Sequence, residues 1–249
     1  MADLLESLGG LPFVSDKFRP PMLLALTCEV RRRADPEAFP NLADYLVPEN
    51  ANRIFARHAR HAITEHDWIP LSAREAELVG SSIVAMTGRI ANWQDLFGIP
   101  IRLRGITVPG IRSQTSTLLP QTIYLGRSAF AVGWRLEESL VHEHAHVWLN
   151  LLGEIQDLQL EGAPRDLVLP SGTSGKSLRG VILAAHFAAS AIRMYDLMKF
   201  DDGVSEARRE DLVDYLGGCL GVATGNPFLS PLGIAVTEFL SAFSASLER

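Results

Sequence analysis

The stretch Glu137-Glu138-Ser139-Leu140-Val141-His142-Glu143-His144-Ala145-His146-Val147-Trp148-Leu149 constrains this chain more than any other part of it. It sets two imidazoles four residues apart inside an apolar run, and a helix gives that spacing its meaning. Residues four apart share one helix face, about 6 Å apart, so His142 and His146 can converge on one divalent ion. Glu143 lies one step round the helix and can reach a water or ligand on that ion. His144 points to roughly the opposite side and is expected behind the pair or at the surface. The competing reading is a polar face that happens to contain histidines. Leu140, Val141, Val147, Trp148 and Leu149 weaken it, because two imidazoles buried among such neighbours need partners, and a metal supplies them.

A metal held by this pair wants a third ligand. Glu154 and Glu161 are near in sequence, but one falls at the helix end and the other in the loop beyond it. The next apolar helix has no acid until Asp196, yet it carries His186, alone among aliphatic and alanine residues. A lone histidine on such a helix is usually a satisfied core residue; beside a two-histidine half-site it becomes the candidate third ligand. Arg179 and Arg193 each stand seven residues from His186, two turns or about 10.5 Å along the axis, near one face. A guanidinium beside a three-ligand metal suits the far carboxylate of a chelating 2-oxo acid. The alternative for both arginines is solvent. The run Arg57-His58-Ala59-Arg60-His61 reads as a solvated basic face, since its arginines repel a cation.

Around these residues the chain reads as mostly helix. Helical patterns cover residues 16–33, 48–67, 72–98, 134–153, 176–200, 205–221 and 230–247, the third opening with a capping box between Ser72 and Glu75. Strands are expected at 101–108 and 122–125, with the polar run 113–117 between them as an edge or loop. The irregular connection 154–174 is long enough to read as a functional loop. The fold class is therefore mainly α (α+β): a helical domain with a short central β region before the metal helix. A helical N-terminal region, 1–98, continues into a metal-binding catalytic region, 99–249, as one continuous domain.

Composition narrows the function. Hydrophobic residues are 47% and charged residues 21%, as in ordinary globular proteins, and the net charge of −6 argues against nucleic acid as a partner. Cys28 and Cys219 are the only cysteines. They cannot make a disulfide scaffold or a thiolate metal site, so a metal falls to histidine and carboxylate. No basic-flanked leader and no apolar run of about 18 residues is read, so the expectation is a cytoplasmic protein with no membrane partner.

Three blocks resemble a known family, the H-E-x-x-H-type 2-oxoglutarate-dependent peptide β-hydroxylases that tailor ribosomally made natural-product (RiPP) peptides. Leu140-Val141-His142-Glu143-His144-Ala145-His146-Val147-Trp148-Leu149-Asn150 is similar to the family's LVHE..H..LN. Pro170 through Ser177-Leu178-Arg179-Gly180-Val181 to His186 and Arg193 resembles its P.R.LRG.LHG…A…R helix. Phe228-Leu229-Ser230-Pro231-Leu232-Gly233 resembles its LT..G turn before the last helix. The likeness spans residues 101–247. It implies a mononuclear non-haem Fe(II) site with 2-oxoglutarate and O₂ as co-substrates, and hydroxylation of a precursor-peptide side chain at Cβ. On that reading His142 and His146 ligate iron with His186 as third ligand, and Glu143 stands beside the ion. Arg179 anchors the oxoglutarate, and Ser113, Thr115 and Arg193 are candidates for contact with substrate. The alternative is a zinc metallopeptidase in which Glu143 is general base for a zinc-bound water. A third possibility is a binding protein that keeps the metal as a structural pin.

Overall fold

The computed structural model describes residues 4–58, 67–200 and 203–247. In chain order the helices are α1 (Leu4–Leu8), α2 (Pro20–Ala34), α3 (Pro48–His58), α4 (Ala73–Arg89), α5 (Gln94–Phe97), α6 (Gly133–Ile155), α7 (Leu178–Met198), α8 (Gly203–Ala223) and α9 (Pro231–Leu247). The strands are β1 (Trp68–Ile69), β2 (Arg102–Ile106), β3 (Ser113–Ser116) and β4 (Leu119–Gly126). The class is mainly α (α+β), with the small sheet preceding the helix of the His-Glu motif. The chain divides into two compact units, Pro20–Ile155 and a second made of Met1–Arg19 with Gln156–Arg249. The boundary expected after residue 98 falls inside the first of them.

In Pro20–Ile155 the sheet has the order β1-β2-β4-β3, with β2 and β4 parallel and the other two pairs antiparallel. All eight residues of β4 are buried. It lies between two strands and packs against α3 and α6, and so shows no in–out alternation. That covering explains why only 122–125 read as strand in the sequence. α6 also packs on α2, α4 and β3. The capping box is present: the Glu75 N–H donates to the Ser72 hydroxyl, and the Glu75 carboxylate accepts from the Ser72 N–H at 2.8 Å. The single helix expected over 72–98 is broken at Ile90, whose backbone (φ −123°, ψ 79°) leaves the helical region before α5 resumes. The helix expected over 48–67 is described as far as His58; residues 59–66, with His61 among them, lie outside the described residues. The two-residue strand β1 had no signal in its alternation.

A buried ion pair locks this unit. Arg31, 2% exposed, makes a bidentate bond to Glu154 with both contacts at 2.8 Å. Its remaining guanidinium nitrogen donates to the Tyr45 carbonyl and to Gln121 Oε1. Gln121 in turn donates to the Leu46 and Pro100 carbonyls, which ties the start of β4 to the end of the short 3-10 helix Leu42–Leu46 and to the loop before β2.

In the other unit α7 packs on α8 and α9, α8 packs on α9, and α1 lies on α9. Ser177 caps α7 by accepting from the Gly180 N–H at 3.1 Å. The connection 156–177 is pinned rather than loose. Isolated bridges join Gln159 to Leu229 and Leu167 to Lys176, and the Ser230 hydroxyl donates to the Asp157 carbonyl. Among the described residues α7 is long and apolar enough to cross a membrane by length and composition, contrary to the sequence expectation. In the protein 78% of that stretch is buried, as in the core helix of a helical bundle.

Candidate metal centre

α6 is buried along almost its whole length. From Leu136 to Gly153 the only residues with partial exposure are His142, His146 and Asn150, spaced at i, i+4 and i+8. They form one stripe along the helix, because four residues are close to a full turn. At the middle of that stripe the Nε2 atoms of His142 and His146 face each other at 2.8 Å, with ring centroids 4.5 Å apart and ring planes at 80°. Two imidazole nitrogens at that separation share either a proton or a cation. The donor type, the convergence and the one accessible face on a buried helix all suit a divalent ion bound by imidazole. Asn150 was quoted in the sequence only as part of a block. Its place on the stripe becomes evident once burial separates it from Val147, Leu149 and Leu151.

Glu143 is 1% exposed and turns from the stripe towards the sheet. The hydroxyls of Ser113 and Thr115 lie near its carboxyl and favour the anion, while its Oε2 is buried without a hydrogen-bond partner. Alternate residues of a strand point to one side, and in this way β3 brings both hydroxyls to the helix. Removal from water outweighs them and the nearby Arg112 guanidinium, and pushes the carboxyl up to about 7. Arg112 donates to the fully buried Glu138 at 2.8 Å. Ser113 and Thr115, expected from the resemblance to contact substrate, lie beside the Glu143 carboxyl. Arg112 and Glu138 were missed, since no spacing rule joins a loop arginine to a carboxylate twenty-six residues later.

His144 departs from its surface alternative. It is 2% exposed, its Nδ1–H donates to the Leu140 carbonyl at 2.7 Å, and its ring meets Phe97 edge-on at 4.7 Å. Burial pushes its pKa down to about 4, so it is neutral near pH 7. It packs behind the pair.

The remaining candidates lie in the other unit. His186 is fully buried on α7, and its Nε2 lies 2.9 Å from the Pro12 carbonyl oxygen. A carbonyl only accepts, so Nε2 carries the proton and, in the neutral ring, Nδ1 carries the lone pair. A backbone carbonyl holding one ring N–H is also how metal-ligating histidines are commonly oriented. Arg179 stands in the first turn of α7, half-buried, its backbone N–H donating to Gln159 Oε1 at 2.7 Å. Arg193 pairs with the largely exposed Asp16 at 2.5 Å. Among the described residues no group of three or more His, Cys, Asp or Glu side chains is gathered for a metal. What is assembled is a two-imidazole half-site with a buried carboxyl beside it. No family model and no curated protein matches the chain.

Proposed function

We propose that this protein is an Fe(II)- and 2-oxoglutarate-dependent oxygenase that hydroxylates a side chain at Cβ in a ribosomally made precursor peptide. The observation that carries the metal-binding part is the 2.8 Å approach of His142 and His146 Nε2 on the one accessible stripe of a buried helix. The redox part rests on the resemblance of three sequence blocks to peptide β-hydroxylases. His142 and His146 would hold the ion, with His186 as the third ligand on the strength of that resemblance. Bound there, iron with a 2-oxo acid and O₂ supplies the C–H hydroxylating chemistry. The chain's own part is to orient and to exclude water. Leu140 and Phe97 fix His144 as packing behind the helix, and the Ser113 and Thr115 hydroxyls lie beside the Glu143 carboxyl. Arg179 is the guanidinium assigned to the far carboxylate of the oxo acid.

One observation favours a second reading. A carboxyl near pH 7 beside a two-histidine pair is the property wanted of a general base in a zinc metallopeptidase. Anaerobic titration separates the two. Metal-free protein given Fe(II) and then 2-oxoglutarate is expected to develop the weak visible charge-transfer band of an iron–oxo-acid chelate. The band should vanish in His142→Ala and Arg179→Ala and survive in Glu143→Gln. Absence of a band, with zinc retained and peptide hydrolysis lost in Glu143→Gln, would establish the peptidase instead.

A further inference from the structure

The two edges of the sheet are unlike. β1 is two residues long, and so short a strand offers a neighbour almost nothing to pair with. β3, at the other end of the strand order, runs through Ser113-Gln114-Thr115-Ser116, all half-buried. It carries no proline and no charged side chain, the usual means of blunting an edge.

The ladder fixes which backbone groups of β3 are spent. The Gly126 N–H donates to the Arg112 carbonyl at 2.8 Å, which makes 112 and 126 a hydrogen-bonded pair. Such pairs alternate along an antiparallel ladder. Gln114, opposite Tyr124, therefore bonds to β4, whereas Ser113, opposite Leu125, and Thr115, opposite Ile123, do not. The N–H and C=O groups of Ser113 and Thr115 point away from β4 to the open edge, and no partner for them stands among the described residues. Their side chains lie on the α6 face of the sheet, beside the buried Glu143 carboxyl.

We propose that an extended peptide adds to this edge as a further strand, antiparallel to β3, with its backbone paired to Ser113 and Thr115. Main-chain pairing is how an exposed sheet edge takes up a peptide, and the antiparallel direction gives the better-bonded ladder. Side chains directly opposite one another in a ladder share a face. The peptide residues opposite Ser113 and Thr115 hence project on the α6 side, where Glu143 follows His142 in the chain, and the residue between them projects away. The choice of a peptide as occupant rests on the reading of this protein as a peptide-modifying enzyme; the open edge does not.

Residue-resolved amide exchange in the metal-free full chain tests this, with an acetylated, amidated heptapeptide of alternating threonine and valine between terminal lysines as probe. β-Branched residues favour the extended chain, and the lysines suit a protein of net charge −6. In the free chain the Ser113 and Thr115 amides should exchange fast and that of Gln114 slowly. Saturating peptide should slow Ser113 and Thr115 by at least about tenfold and leave Gln114 unchanged. The same peptide with its central amides N-methylated should give no protection. Ser113→Pro removes one edge N–H where an edge strand tolerates proline, and should weaken the peptide by at least about tenfold; Ser113→Ala keeps that N–H and should not. Where the proline loosens Gln114 as well, the methylated peptide decides alone. The proposal is overturned if the peptide leaves Ser113 and Thr115 fast, if the methylated peptide protects equally, or if Ser113→Pro with Gln114 still slow binds as the parent does. It is overturned too if both amides are already slow in the free chain; sedimentation as a dimer would then give the edge to a second copy. No iron or oxo acid is present in this experiment. A charge-transfer band without protection therefore overturns the docking alone, and protection without a band overturns the oxygenase reading alone.

Discussion

At Glu143 burial and hydrogen bonding pull in opposite directions. Desolvation favours the neutral acid, and the hydroxyls of Ser113 and Thr115 with the Arg112 guanidinium favour the anion; burial is the larger effect. The hydroxyls therefore offset only part of the cost of burying this carboxyl, whose Oε2 has no hydrogen-bond partner. Replacing both, as Ser113→Ala with Thr115→Val, should lower stability in urea unfolding by about 1–3 kcal/mol. Glu143→Gln, which still accepts from both hydroxyls, should cost less than the double variant. A double variant as stable as the parent would show that β3 does not hold the carboxyl. The pair spacing that exposes His142 and His146 was legible because four residues make nearly one turn. The hydroxyl partners were not, since β3 reaches α6 by way of the sheet, and a polar run such as 113–117 reads equally well as a loop.

Among the elements, helix identity followed from the pattern and helix ends followed from capping chemistry. Ser72 and Glu75 announced the start of α4, and α6 differs from its expected span by only a residue or two at each end. The break at Ile90 carried no proline to announce it, and Gly88, two residues before it, lies within α4. The start of α9 shows how a sequence block can have a packing cause. The Ser230 hydroxyl accepts from the Gly233 N–H at 3.0 Å, and a Cβ on Gly233 would fall 2.0 Å from the Leu158 carbonyl oxygen. The Ser-Pro-Leu-Gly turn that resembles a family signature is thus also what lets the 156–177 connection touch the last helix. Gly233→Ala should destabilise its unit by at least about 2 kcal/mol, far beyond what an alanine costs or gains in a free helix. Hydrogen exchange across α9 measures it, and unchanged protection would mean that the backbone contact is not tight.

At the scale of the molecule, the second unit is assembled from both ends of the chain, an organisation that periodicity along a sequence cannot reveal. Leu8, Leu11 and Phe13, all within 1% of complete burial, belong to the same unit as α7, α8 and α9. Pro12 supplies the carbonyl that orients His186, and Asp16 the carboxylate that pairs with Arg193. Residue 13 also sits at φ 63°, a left-handed conformation unusual for phenylalanine, which the surrounding packing must sustain. Deleting residues 1–19 removes at least three buried apolar side chains at roughly 1.5–3 kcal/mol each, a loss on the order of 5 kcal/mol. Exchange in α7 and α9 should then rise by on the order of a hundredfold or more, while α6 and the sheet, which lie in the other unit, keep their protection. If α7 and α9 exchange at the parent rate, the first nineteen residues do not support the helix that carries His186. If α6 loosens equally, the two units unfold as one, and the clustering of contacts does not mark a boundary of stability.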